Sequence, residues 1–286
     1  MDIRIKLFLT DLLYPSPKKG MNPRSLNYLK VLLKNKSNSV LFATFPKSGW
    51  NWTIDIISYY IIKKFTGEYN VQYIGNGTLK EREKKPYNIF TAADARSHNA
   101  KTIRELFPDL NIDYCFHSAS HWKGSPIWGL NNAKTVFIIR NIPTMLYSYY
   151  KSKLDRYSCV EDVIKGGVLD RAIKYYNTWG TFCSKYTNYK IFRYELFKKD
   201  SFNQFKQLIQ YVFEIKIDDD LLKEALDYYS IENQIQREFS FCHDKNKHFH
   251  YKGSVDYTNN ISKDTLEMIY KKLNIELKYK FGYTYP

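Results

Sequence analysis

Two segments constrain the fold of this chain more than any others, because each is an apolar run of strand length that stops at a polar turn and restarts as a helix. The first is Val40-Leu41-Phe42-Ala43-Thr44-Phe45, followed by Pro46-Lys47-Ser48-Gly49 and then Trp50-Asn51-Trp52. A continuous run of this kind reads as a strand covered on both faces, and such strands belong to parallel sheets. The turn leaves the first amides of the next helix without intrahelical acceptors, aimed at one spot where the helix dipole favours negative charge. Lys47 adds a mobile cation, Ser48 a hydroxyl donor, and Gly49 a stretch of backbone that no side chain shields. The segment is a P-loop-like phosphate cradle but not a Walker A loop, whose glycines precede the Lys-Ser pair; here the glycine follows it. An ordinary ATPase or GTPase is disfavoured.

The second segment repeats the construction. Ala133-Lys134-Thr135-Val136-Phe137-Ile138-Ile139 is a strand-like run, and Arg140-Asn141-Ile142-Pro143 ends it, with Ser148 two turns into the helix that Pro143 suits. Arg140 can fork around a phosphate that Ser148 also touches. Two strand-to-helix turns with phosphate ligands suggest one nucleotide carrying phosphates at two separated places.

These residues resemble the two cofactor signatures of the cytosolic-type sulfotransferases. Thr44 to Trp52 is similar to that family's T-Y-P-K-S-G-T-x-W loop, and Arg140 to Tyr150 to its R-N-x-x-D-x-x-x-S-Y-Y segment, with the eight-residue spacing of Arg140 and Ser148 kept. His250 to Tyr257 resembles a degraded R-K-G-x-x-G-D-W loop: Tyr251 stands for the arginine, one residue is absent before Asp256, and Tyr257 stands for the tryptophan. Arg193-Tyr194-Glu195 resembles the Y-E-D element. The resemblance implies a sulfuryl transferase using 3'-phosphoadenosine 5'-phosphosulfate, with 3',5'-bisphosphoadenosine (PAP) as product and no metal. On that reading Lys47 and the backbone of Ser48, Gly49, Trp50 and Asn51 hold the 5'-phosphosulfate. Arg140, Ser148 and the Lys252-Gly253 loop hold the 3'-phosphate, and Trp52 and Tyr194 flank adenine, although Trp52 could equally be core packing. The family's base ends a strand in a K-T-H motif. His117, which follows Asp113-Tyr114-Cys115-Phe116 and precedes Arg140 by 23 residues, fits that place better than His121 at 19. Imidazole titrates near neutrality and can accept a hydroxyl proton as oxygen attacks sulfur. Cys115 stands where the family has its lysine, which leaves more of the charge stabilisation to Lys47 unless Lys123 swings in.

Strands are expected at 39 to 45, 112 to 117, 134 to 140 and 189 to 193. Helices are expected at 24 to 36, 50 to 64, 142 to 154, 168 to 186, 201 to 213, 218 to 229 and 262 to 273. The alternation predicts an α/β fold over residues 1 to 286 as a single domain: a central parallel sheet with helices on both faces and ligands beyond the C-terminal strand ends. Residues 65 to 100 and 239 to 260 are turn-rich and are expected to be mobile loops that frame an acceptor site.

The net charge of +15 suits nucleic acid, an acidic membrane or an anionic cofactor, yet the basic residues are dispersed, and abundant lysine, asparagine, isoleucine and tyrosine reflect AT-rich coding as easily as selection for charge. Cys115, Cys159, Cys183 and Cys242 show no C-x-x-C pair, so neither a zinc site nor a disulfide framework is indicated. No run approaches membrane-spanning length and the first residues do not make a signal peptide, so a cytoplasmic protein is the default. A small-molecule acceptor is expected, with no nucleic-acid or membrane partner; self-association as a homodimer stays open. Two other readings remain at this stage: a nucleotide or nucleoside kinase with an atypical P-loop, which would need Mg²⁺, and a non-catalytic nucleic-acid-binding protein.

Overall fold

A computed structural model of the chain describes residues 38–69, 103–118, 134–233 and 258–286. The expected helix at 24 to 36, most of the two expected loops, His121, and the Lys252-Gly253 turn lie outside the described residues. In chain order the elements are β1 (Ser39–Thr44), α1 (Trp50–Thr66), α2 (Ile103–Leu106), β2 (Tyr114–Ser118), β3 (Lys134–Ile139), α3 (Ile142–Lys151), α4 (Val160–Lys165) and α5 (Val168–Cys183). They continue with β4 (Tyr189–Arg193), α6 (Tyr194–Lys199), α7 (Ser201–Phe213), α8 (Asp219–Tyr228), a 3-10 turn at Thr258–Asn260, and α9 (Lys263–Glu276).

The four strands form one parallel sheet in the order β2-β1-β3-β4. Alternate residues of β1 and β3 enter two separate cores. Leu41, Ala43, Phe137 and Ile139 join the core built with α3, α5 and α9, while Val40, Phe42, Val136 and Ile138 join the one built with α1, α7 and α8. Both faces are buried, which is why these strands read as unbroken apolar runs. From β1 the chain crosses to β2 on one side and then to β3 on the other, so the order reverses between β1 and β3. Ligands in open α/β sheets bind beyond the strand ends at such a switch point, and the turns after Thr44 and Ile139 open side by side there.

Two helices end earlier than the pattern predicts. α3 stops at Lys151 rather than 154, and α5 at Cys183 rather than 186. In each case a serine caps the end through its own side chain, Ser152 Oγ donating to Tyr149 O (2.8 Å) and Ser184 Oγ to Thr181 O (2.9 Å). Such local bonds compete with continuation of the helix. β2 also runs one residue beyond His117 and starts two residues later than expected. No helix among the described residues is long and apolar enough to cross a membrane.

Candidate active site

The first cradle depends on two residues in left-handed backbone. Lys47 has φ 71°, and Gly49, the N-cap of α1, has φ 98°. Ser48 N–H closes the turn on Phe45 O (3.1 Å), and the helix ladder starts with Thr53 N–H on Gly49 O (3.0 Å). The ring of Tyr194 lies over Gly49, where an added Cβ would meet Tyr194 Cδ2 at 2.5 Å. The glycine is therefore required twice, by its φ and by the tyrosine. Ser48 Oγ is buried facing the Tyr176 hydroxyl, without a well-formed hydrogen bond among the described residues. Trp50 is half-buried with its ring against Phe42 of the core (centroids 5.2 Å apart), while Asn51 is exposed.

Arg140 joins the second cradle to the first. It is 4% exposed, its Nη1 donates to Lys47 O (2.9 Å), and its guanidinium lies 4.3 Å from the centre of the Tyr194 ring. Its main chain is clamped by Tyr176, whose hydroxyl accepts from Arg140 N–H (3.0 Å) and donates to Arg140 O (2.9 Å). Burial pushes that hydroxyl up to about 12, which keeps it protonated for both bonds. Asn141 caps α3, its Oδ1 accepting from Thr144 N–H (3.4 Å). Glu195 in turn accepts from Asn141 N–H (2.9 Å) and from the Tyr283 hydroxyl, so the last turn of the chain braces this cap. Ser148 sits half-buried two turns into α3.

Positive charge converges here. Burial, Lys153 and Arg140 together lower the pKa of Lys47, in that order of weight. Lys198 is pulled down to about 8 by burial first and Arg140 second, against a weaker opposing pull from Glu232. Among the described residues neither Lys47, Lys153 nor Lys198 forms an ion pair with a carboxylate. Like charges crowded into a partly buried site are costly unless an anion joins them, so the donor set fits a phosphate-bearing ligand.

Lys153 and Lys198 were not legible as site residues in the sequence. Lys153 lies in the turn after α3, and Lys198 one turn beyond Tyr194 on the short helix α6. The only available signal was the i, i+4 spacing of Tyr194 and Lys198, which matters once α6 is known to be a helix.

Trp52 is held as a packed side chain. Its indole N–H donates to Tyr229 O (2.9 Å), and edge contacts run to Phe205 (5.3 Å) and Tyr194 (6.4 Å). His117 lies in β2 opposite Phe42 of β1, near the sheet edge that carries both cradles; its side chain is outside the description. Cys115 faces the core with Val40 and Phe42, and burial raises its thiol pKa, so the thiol stays neutral.

A parallel sheet with two cation-bearing strand-to-helix turns side by side at its switch point has the layout of an open α/β fold with its ligand crevice beyond the strand ends. The sulfotransferase domain model matches residues 37–272, and the chain belongs to that family; it is a sulfotransferase. Among solved structures it is similar to mouse sulfotransferase SULT7A1 complexed with PAP, with 14% identity, TM-score 0.54, and 87% of this chain and 90% of that one covered. It is also similar to retinol dehydratase in complex with androsterone and inactive cofactor PAP (14%, TM-score 0.54, 99% and 96% covered). A retinol dehydratase complex with retinol and PAP gives 15%, 0.54, and 100% and 97%. At these identities the likeness speaks for the fold. No curated protein sequence matches the chain.

Proposed function

We propose that this sulfotransferase moves the sulfuryl group of 3'-phosphoadenosine 5'-phosphosulfate to a hydroxyl or amine of a small-molecule acceptor, with residues 1 to 286 acting as one domain. The observation that carries the reading is the bond from Arg140 Nη1 to Lys47 O. It ties two phosphate cradles into one crevice, as a nucleotide with phosphates at both ends requires. The PAP-bound neighbours support the same donor. When bound, that donor supplies an activated sulfuryl group on a phosphate leaving group.

The chain's own residues supply positioning and charge. Lys47 and the first amides of α1 hold the 5' end. Because burial, together with crowding by Lys153 and Arg140, weakens the hold of Lys47 on its proton, its ammonium is a strong hydrogen-bond donor to an oxygen that gathers charge. Arg140 and Ser148, with Lys252 and Gly253, hold the 3'-phosphate, and Tyr194 and Trp52 border adenine. His117 accepts the acceptor's proton. Retinol and androsterone in two neighbours make apolar alcohols the first acceptors to screen.

The test is a metabolite screen with sulfur-labelled donor, followed by mass spectrometry of any product that gains a sulfo group. EDTA should leave transfer intact. Label transfer to no alcohol, phenol or amine, alongside Mg²⁺-dependent phosphoryl transfer from ATP, would replace this reading with the kinase.

A further inference from the structure

We propose that Lys198 is a nucleotide-binding residue of this site, the cation that reads the phosphate held on the Arg140 side, and that in the ligand-free protein its ammonium is parked on the face of Trp52. This rests on the two-cradle reading above and goes beyond it.

A chain of contacts carries the assignment. Arg140 lies 4.3 Å from the Tyr194 ring, Tyr194 meets Trp52 edge-on at 6.4 Å, and Lys198 Nζ stands 4.2 Å from the centre of the Trp52 ring. Tyr194 and Lys198 are one turn apart on α6, so they share a face. That face looks across the first turn of α1 toward Arg140. Lys198 is half-buried and forms no ion pair with a carboxylate among the described residues, so the ring contact, with a weaker pull from Glu232, holds its charge. A purine entering beside Trp52 competes for that ring. The displaced ammonium, on a flexible four-carbon stem, then has a phosphate within reach near Arg140.

The charge balance agrees. Burial first and Arg140 second depress Lys198, with Glu232 opposing. Lys47 is depressed by burial first, then by Lys153 and Arg140. Arg140 thus crowds both lysines while Lys153 acts on Lys47, which places Lys198 on the Arg140 side and Lys153 with the 5' end. An anion beside Lys198 raises its pKa again, so binding takes up protons where the free residue is partly neutral.

Isothermal calorimetry decides the matter, with PAP and AMP as probes on wild type, Lys198→Met, Lys198→Arg and Lys199→Ala. Methionine keeps the apolar stem over Trp52 and removes the charge; Lys199 is an exposed neighbour. Lys198→Met should bind PAP about tenfold or more weakly, the scale of a lost charged hydrogen bond, and AMP within about twofold. Lys199→Ala should match wild type. Between pH 7.5 and 9 PAP affinity should fall more steeply for wild type than for Lys198→Arg, whose charge does not titrate. Equal losses for PAP and AMP, or no loss with PAP preferred by wild type, would overturn the role of Lys198 alone. A wild type that binds PAP no better than AMP would overturn the two-cradle reading and this inference with it.

Discussion

Replacing Gly49 with alanine tests how the first cradle is built. At an ordinary site that alanine can adopt, the change stabilises a protein by about 0.4–1 kcal/mol through the unfolded chain. Here the sign should reverse. The φ of 98° places an L-residue in left-handed backbone, which costs about 1–2 kcal/mol. The new Cβ would also stand 2.5 Å from Tyr194 Cδ2 and 2.9 Å from Cε2. Tyr194 has little room to yield, because Arg140 lies on its ring and Trp52 at its edge, so overpacking adds about 1–3 kcal/mol. Urea unfolding of Gly49→Ala should therefore report a loss of about 2–5 kcal/mol. In a Tyr194→Ala background the steric part disappears, leaving about 1–2 kcal/mol for the backbone. PAP affinity should fall in the single variant, since a displaced Tyr194 unseats Arg140. A loss below about 1 kcal/mol, or the same loss in both backgrounds, would refute the packing of Tyr194 on Gly49.

Lys47→Ala should lower kcat more than it weakens PAP binding, because its contact strengthens as charge develops; normal turnover at saturating donor would remove it from the mechanism. With an acceptor that carries its proton, His117→Ala should lose about 10²-fold or more in kcat while still binding PAP. His121→Ala should be mild, and the opposite pattern would shift the catalytic assignment to His121. Lys198 should contribute stability that grows as pH rises from about 8 toward about 10, against the opposite trend of the buried tyrosines and cysteines whose pKa burial raises. Lys198 is depressed to about 8, so over that range the unfolded chain binds more protons than the folded one. The urea midpoint of wild type should therefore gain on that of Lys198→Met across this window; an unchanged difference would contradict the burial of that charge beside Arg140.

The parts of the fold legible in the sequence are those whose pattern is long. β1 and β3 announce themselves because both faces are buried, and α7 matches its expected bounds at Ser201–Phe213 because its apolar stripe covers more than three turns. α2, α4 and α6 are four to six residues long, too short to display a period. They are held by one or two anchors each, among them Ile103, Val163 and Phe197, all fully buried. The site divides the same way. Lys47, Gly49 and Arg140 sit in turns whose composition is local, whereas the grip of Tyr229 on the Trp52 indole spans 177 residues and leaves no local trace. The charge cluster depends on Lys153 and Lys198, which only the folded chain brings to Arg140 and Lys47.

The most direct measurement is calorimetric binding of PAP and AMP to wild type and to Arg140→Ala at fixed salt. Wild type should prefer PAP by about tenfold or more, and Arg140→Ala should lose most of that preference while retaining AMP binding, because removing a charged hydrogen bond costs about 2–4 kcal/mol. Equal affinity of wild type for PAP and AMP would contradict the presence of a second phosphate cradle beside the first.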